Sequence, residues 1–328
     1  KGMANVSLPM NRIADVMVTV PSIDKQREII ELEKQLVEKE IKADNLFADQ
    51  INQLENLNQA ILQEAVQGKL VPQDRKDLPC RQAGEPASKL LKRIKAEKAK
   101  SGKKEKPLPP IKPEEIPFEI PESWVWCRLG EIIYDTEGGK SPHCLNENVK
   151  GDEWGVIKTT AVQQMTFLEN ENKVLPNGFK IYEQHKVQLD DVLITRAGPQ
   201  NRVGVVCCVS ELTKNLILSD KTIRFKHPKQ LIYSKYLATV YNSPKMKPII
   251  SSKMVGMAES QVNISQDSMK TFLFPLPPLA EQKRIVAEIE KQFALTKQLK
   301  AHIIANQQAT EQLLKALLHQ AFQPAEAA

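Results

Sequence analysis

The sequence predicts an α+β domain held between two long helices that pack on each other as an antiparallel coiled coil. Three observations carry this. The stretch opening at Pro277 repeats, at an offset of about 256 positions, a stretch opening at Pro21. Within each copy, apolar residues recur at threes and fours over some forty residues, the pattern of a helical seam. Between the copies lie short β-like runs separated by turn residues, with helical character returning late.

The repeat aligns Pro21 with Pro277, Gln26 with Gln282, Ile29 with Ile285 and Ile30 with Val286. After one residue of slippage it aligns Leu36 with Phe293, and it recovers register where Leu57, Ile61, Leu62 and Ala65 face Leu313, Leu317, Leu318 and Ala321. The first helix is expected from about Ile23 to Gln67, with Pro21 ahead of it and Gly68 just past its end. Its seam reads Ile29, Leu32, Leu36, Phe47, Ile51, Leu54 and Ile61. The second helix is expected from about Ala280 to Phe322, with Ile285, Ile289, Phe293, Leu299, Ile303, Leu313 and Leu317 as its seam. Each would be a rod of roughly 65 Å. A rod with one apolar stripe is not stable alone in water, so the two copies are expected to cover each other. Asn58 and Thr310 interrupt the stripes and would fix register.

Five segments follow: a leading tail at 1–20, the first helix at 21–70, a basic and proline-rich linker at 71–116, an α+β domain at 117–276 and the second helix at 277–328. Gly2-Met3-Ala4 echoes Gly256-Met257-Ala258, so the tail reads as the end of a further domain like the central one. Within the linker a short helix is expected over Ala87–Ala99, then a stiff proline-rich connector, PLPPIKPEEIPFEIP. In the central domain, strands are expected at Trp124–Cys127, Gly155–Ile157, Val192–Ile194, Val203–Val209 and Thr222–Phe225, and a helix at Ser234–Tyr241.

Composition excludes several classes. A chain of 328 residues with 41% hydrophobic and 26% charged residues is neither disordered nor membrane-embedded in character. No signal peptide and no run of about 18 apolar residues is present, so a cytoplasmic protein is expected. Five cysteines without CxxC spacing are expected to be reduced. The net charge of +6 resides in one stretch from Lys89 to Lys106, which carries nine basic residues against Glu97 and Glu105. Such a block reads either as an arm along a polyphosphate or as a solvated helix and linker.

No catalytic constellation is present. Gly138-Gly139-Lys140-Ser141 resembles the end of a phosphate loop, but Tyr134 stands where that loop needs its first glycine. His143-Cys144 is an isolated pair without a second cluster at metal spacing; a metal nuclease built on it would show chelator-sensitive cleavage. The domain instead has loops rich in side chains that read nucleic acid. Arg and Lys bond guanine edges, Asn and Gln pair with adenine, and glycine admits close backbone approach. The residues expected to contact DNA are Lys140, Ser141, Lys158, Thr159, Thr160, Arg196, Gln200, Asn201, Arg202 and Lys253. The alternative is a coiled-coil interaction scaffold with only non-specific nucleic-acid affinity.

These residues resemble the specificity subunit of type I restriction-modification systems. Pro277–Val286 and its copy from Pro21 are similar to the opening of that family's conserved helices, and Ala65–Leu70 and Leu318–Gln323 to their ends. Ile120–Ile132 is similar to the start of its target-recognition domains; Asp190–Pro199 and Val262–Ser265 also match. The resemblance implies a non-catalytic subunit whose two recognition domains each read half of an interrupted site, spaced by the paired helices. It implies modification subunits that supply S-adenosylmethionine and methylate adenine, and restriction subunits that use ATP and magnesium, with no cofactor on this chain. Only one recognition domain is present in full, so a half-specificity chain that pairs with a second copy is expected.

Overall fold

The computed structural model describes residues 20–72, 85–100, 107–144 and 146–321. The leading tail, Cys80, Lys103, Lys104, Lys106 and Phe322 lie outside the described residues. Two compact units are present: Glu55–Thr296, and a second formed by stretches of Lys1–Leu54 and Lys297–Ala328.

Both long helices form. Helix α1 spans Ile23–Val66. It ends at Gly68, whose φ of +71° is open to glycine without strain. The Lys69 N–H then donates back to the Glu64 carbonyl at 2.9 Å, closing the last turn. Its counterpart, the final helix, spans Leu279–Ala321. The repeat is visible in chemistry as well as in letters. The Gln26 side-chain amide donates to the Pro21 carbonyl at 2.8 Å, and its equivalent Gln282 donates to the Pro277 carbonyl at 3.1 Å.

In the second unit Ile29 and Leu36 are buried, and Gln307 Nε2 donates to Asp44 Oδ1 at 3.2 Å. The expected seam needs correction here. Leu299, Leu313 and Leu317 are exposed, whereas Ile303, Gln307, Thr310, Leu314 and Leu318 are half-buried. Leu32 is likewise exposed. Ile29, Leu36, Ile303 and the expected interruption Thr310 do lie inward, but Gln307 joins them, so the apolar letters alone misplace Leu299, Leu313 and Leu317.

The Glu55–Thr296 unit carries the α+β domain. After helix α2 (Ala87–Ala99), the chain forms β1 (Val125–Arg128), helix α3 (Leu129–Ile132) and β2 (Asp135–Gly138). Next come β3 (Trp154–Ile157), β4 (Val162–Gln163), β5 (Thr166–Phe167) and β6 (Asn172–Val174). Then follow β7 (Val192–Thr195), β8 (Ala197–Gly198), β9 (Val206–Cys208), β10 (Asn215–Ile217) and β11 (Thr222–Lys226). Helices α4 (Ser234–Asn242) and α5 (Lys247–Ser251) precede β12 (Val255–Ala258) and β13 (Gln261–Asn263). Helix α6 (Gln266–Lys270) and β14 (Leu273–Leu276) lead into α7, the Leu279–Ala321 helix.

The central sheet is antiparallel in the order β2-β11-β7-β9. Flanking it are β10-β3-β6, β12-β13-β8, β1-β14 and β4-β5. The main core gathers Ile61, Leu62, Ala65 and Val66 of α1 with Leu90 and Ile94 of α2, Phe225, Tyr236, Phe274 and Ile285. The Tyr236 and Phe274 rings meet edge-on at 5.7 Å, and the Tyr236 hydroxyl donates to the Pro275 carbonyl at 3.0 Å, so a buried phenol keeps its partner. The proline-rich connector is strapped to this core. Buried Arg128 donates from Nε to the Pro109 carbonyl at 3.1 Å, from Nη2 to the Pro110 carbonyl at 2.9 Å and to Glu115 at 2.8 Å, and from Nη1 to the Thr271 carbonyl at 2.9 Å.

Candidate nucleic-acid interface

The loops rich in polar side chains are joined by hydrogen bonds into one belt. At its start, the turn after β2 docks on the turn before β11. Gly139 N–H donates to the Ser219 carbonyl and Lys140 N–H to the Leu218 carbonyl, both at 3.2 Å. A Cβ on Gly139 would fall 1.7 Å from the Leu218 carbonyl oxygen, so only glycine admits this approach. Ser141 Oγ donates to Asp220 Oδ1 and accepts from the Asp220 N–H at 3.2 Å, which fastens the turn from both sides.

The belt continues through Arg196. Its N–H donates to the Lys221 carbonyl at 2.8 Å, and its carbonyl accepts from Ile264 N–H at 2.8 Å. Strand β8 then pairs with β13, and β13 with β12. The Gln200 N–H donates to the Glu259 carbonyl at 2.8 Å. Gln200 and Asn201 are exposed, and Arg196 is half-buried. Lys253 is exposed and leads into β12.

Arg202 joins this strip to the turn between β3 and β4. Its guanidinium donates to Gln163 Oε1 at 3.0 Å, to the Thr159 carbonyl at 3.0 Å and to the Val162 carbonyl at 2.8 Å. Thr160 Oγ1 donates to Glu171 Oε2, and Lys158 N–H to the Glu171 carbonyl at 2.9 Å. The structure thus connects Lys140, Ser141, Lys158, Thr159, Thr160, Arg196, Gln200 and Arg202 through named bonds, with Asn201 and Lys253 in adjoining loops. Their roles differ. The Arg202 fork is occupied by protein carbonyls, whereas Lys140, Gln200 and Asn201 present exposed side chains.

Sequence reasoning missed Gln163, Gln164 and Lys247, which with Gln200, Asn201 and Arg202 line a cleft of about 380 Å³. The adjacent amides Gln163-Gln164 were the available signal; their convergence with Lys247 was not. Also missed was the ion-pair network behind β2. Arg224 donates from Nη1 to Asp191 at 2.8 Å and from Nη2 to Glu137 at 2.5 Å, while Lys226 reaches Glu137 at 2.8 Å. Burial opposes charge on Glu137, but the hydrogen bonds from Lys226 and Arg224 hold its carboxyl below the usual range. Burial wins at Asp191, where it pushes the carboxyl up despite Arg224. Among the described residues, no three His, Cys, Asp or Glu side chains gather where they could hold a metal. No helix among them is long and apolar enough to cross a membrane.

Comparison with known proteins follows the same direction. Residues 121–306 match the family described as Type I restriction modification DNA specificity domain. Over 280 residues the chain is 44% identical to the type I restriction enzyme EcoEI specificity subunit of Escherichia coli, covering 84% of this chain and 46% of that protein. The EcoAI specificity subunit of Escherichia coli is 33% identical over 292 residues, with 84% and 45% covered. The chain therefore spans about half the length of these curated relatives. A solved chain from a study of complex assembly and conformational transition of the type I R-M system shares the fold. Its TM-score is 0.58 at 19% identity, over 93% of this chain and 60% of that one. With more than half of its residues inside the family match, this chain belongs to the type I restriction modification DNA specificity domain family.

Proposed function

We propose that this chain is the sequence-reading subunit of a type I restriction-modification enzyme, and that its α+β domain recognises one half-site in duplex DNA. The observation that carries the proposal is the belt. Loops distant in sequence are fastened into one strip that offers Gln200, Asn201 and Arg196 for base edges, a chemistry suited to the major groove. The scaffold reading leaves this gathering of donors and acceptors without a purpose, and the family match does not favour it.

Within this reading Arg196 reads a base, and Arg202 holds the reading loops in place. Lys158, Thr159, Thr160, Ser141 and Lys253 set position on the sugar-phosphate backbone. The long helices act as a spacer packed as an antiparallel coiled coil. Support comes from Gln307 against Asp44 and from the pull of Glu40 on Lys315, since rising numbers on one helix meet falling numbers on the other. Thr296 Oγ1 donating to Asn58 Oδ1 at 2.9 Å gives a half-buried polar pair of the kind that fixes register. The chain itself would carry no cofactor and no catalysis. Modification subunits docked on it would supply S-adenosylmethionine and methylate adenine, and a restriction subunit would bring ATP and magnesium. Two copies of the chain would pair through their helices and read a symmetric site in the cytoplasm.

Selection of random-sequence duplexes by the chain, alone and with its modification subunit, tests the reading. Enrichment of a motif of roughly three to five base pairs is expected, doubled and mirrored where two copies assemble. Recovery of unselected sequence in both settings would refute it. Sizing of the methylating complex is expected to give two copies of this chain, and one copy with full site-specific methylation would refute the pairing.

A further inference from the structure

Beside the belt, two lysines lie over the ring of Tyr182. Lys140 Nζ lies 5.5 Å from the centre of its ring and Lys180 Nζ lies 5.3 Å from it, while the tyrosine itself is 40% exposed. Both lysines are exposed, and neither has an ion-pair partner among the described residues. The acids nearby are engaged elsewhere: Glu183 with Lys186, and Glu137 with Arg224 and Lys226. Two cations thus converge on one phenol, while the Glu183 and Glu137 carboxylates are paired with other cations and the Asp220 carboxylate is bonded to Ser141.

The segment is continuous with the belt. Lys140 N–H donates to the Leu218 carbonyl, and Leu218 N–H donates in turn to the His185 carbonyl at 2.8 Å. His185 packs edge-on against Tyr182 at 5.7 Å. It is buried, and its Nδ1 has no hydrogen-bond partner. Burial and then the charge of Lys140 push its pKa down, so the ring stays neutral and adds no third charge to the patch. Rings held beside lysines are a recurrent cation–π arrangement; with a free hydroxyl and unneutralised ammoniums it becomes a phosphate-binding surface.

We propose that Lys140, Lys180 and Tyr182 form a clamp for the DNA sugar-phosphate backbone: the two ammoniums pair with phosphates of one strand and the Tyr182 hydroxyl donates to a phosphate oxygen. The proposal rests on the recognition reading above and extends it from Lys140 to Lys180 and Tyr182, which lie outside the loops chosen from sequence. The clamp supplies affinity and register, and it carries no base information.

The test uses the full chain with its modification subunit, the duplex recovered by selection and a scrambled duplex of equal length, over a series of salt concentrations. The double variant Lys140→Met with Lys180→Met should lose affinity for both duplexes by the same factor. Its plot of log affinity against log salt should be shallower by about 1.8, since each neutralised phosphate contributes about 0.9. Lys140→Arg with Lys180→Arg should keep the wild-type slope, and Tyr182→Phe should lose roughly five-fold on both duplexes. A double variant with wild-type slope and affinity overturns the clamp while leaving recognition intact. Loss confined to the selected duplex also overturns it, because the residues would then read bases. A wild-type chain that prefers neither duplex removes the recognition reading, and the clamp with it.

Discussion

Replacing Arg202 by methionine separates a residue that holds the reading loops from one that reads a base. The side chain keeps its length but loses bonds of 3.0, 3.0 and 2.8 Å to Gln163 Oε1 and the carbonyls of Thr159 and Val162. At about 1 kcal/mol net for each bond, the turn over residues 159–163 loses about 3 kcal/mol of attachment. Its opening should therefore become on the order of 150-fold more frequent. Amide hydrogen exchange reads this directly, because Ala161 N–H donates to the Lys158 carbonyl at 3.0 Å and Leu168 N–H to the Ala161 carbonyl at 2.8 Å. Both amides should exchange faster in Arg202→Met, while Val192 and Phe225 in the central sheet stay protected. Arg202→Lys should fall between the two, since an ammonium cannot reproduce the fork. Selected sequences should relax at several positions together. Unchanged exchange at Ala161 and Leu168, with preference lost at one base pair only, would refute the argument and make Arg202 a base reader.

Three further predictions concern the scaffold. His227 is buried between the Phe225 carbonyl and Ser234 Oγ, each at 3.0 Å, and burial lowers its pKa from 6.5 to about 4. The unfolded chain therefore binds a proton that the folded chain refuses between pH 6.5 and 4. Stability is full above that window and falls by about 1.4 kcal/mol per pH unit as pH drops through it, and urea unfolding of His227→Gln at pH 7 and pH 5 should show a flatter dependence than wild type. Gly139→Ala should destabilise by more than about 2 kcal/mol, because backbone meets Cβ at 1.7 Å, whereas Gly151→Ala, with φ +57° and nothing within 4 Å, should cost only about 1–2 kcal/mol; thermal melts of both decide. Arg128→Met should cost about 2–3 kcal/mol in urea unfolding and expose the connector near Pro109 and Pro110 to proteolysis; a melt and digestion pattern like wild type would contradict the strapping role.

Much of the scaffold was legible from periodicity. Helix α1 lies at Ile23–Val66 and α2 at Ala87–Ala99, as the apolar spacing and the Pro21 and Gly68 flanks indicated. The five β-like runs overlap β1, β3, β7, β9 and β11, although Val203 and Gly204 of the fourth run form a turn ahead of β9. Strand β14 escaped because Pro275 argues against a ladder position; it is tolerated in a two-stranded sheet. Strands β8 (Ala-Gly), β12 (Val-Gly-Met-Ala) and β13 (Gln-Val-Asn) are too short to show an alternation, and only mutual pairing makes them strands. The seam was misassigned in part of the second helix because Gln307 and Leu314 face inward there while Leu313 faces out; Thr310 lies in the stripe as expected. At the site, composition pointed to the loops, but the occupation of Arg202 depends on carbonyls some forty residues away and has no local signature. Tyr182 was equally silent, since a lone exposed tyrosine gains meaning only from the lysines that fold beside it.

The central claim is that the belt reads sequence, and duplex selection by the chain with its modification subunit, repeated for Arg196→Ala, tests it most directly. Wild type should enrich one short motif, and the variant should lose discrimination at one position by about 1–3 kcal/mol while binding scrambled duplex with nearly unchanged affinity. Equal losses on selected and scrambled duplex, or no motif from wild type, would contradict it.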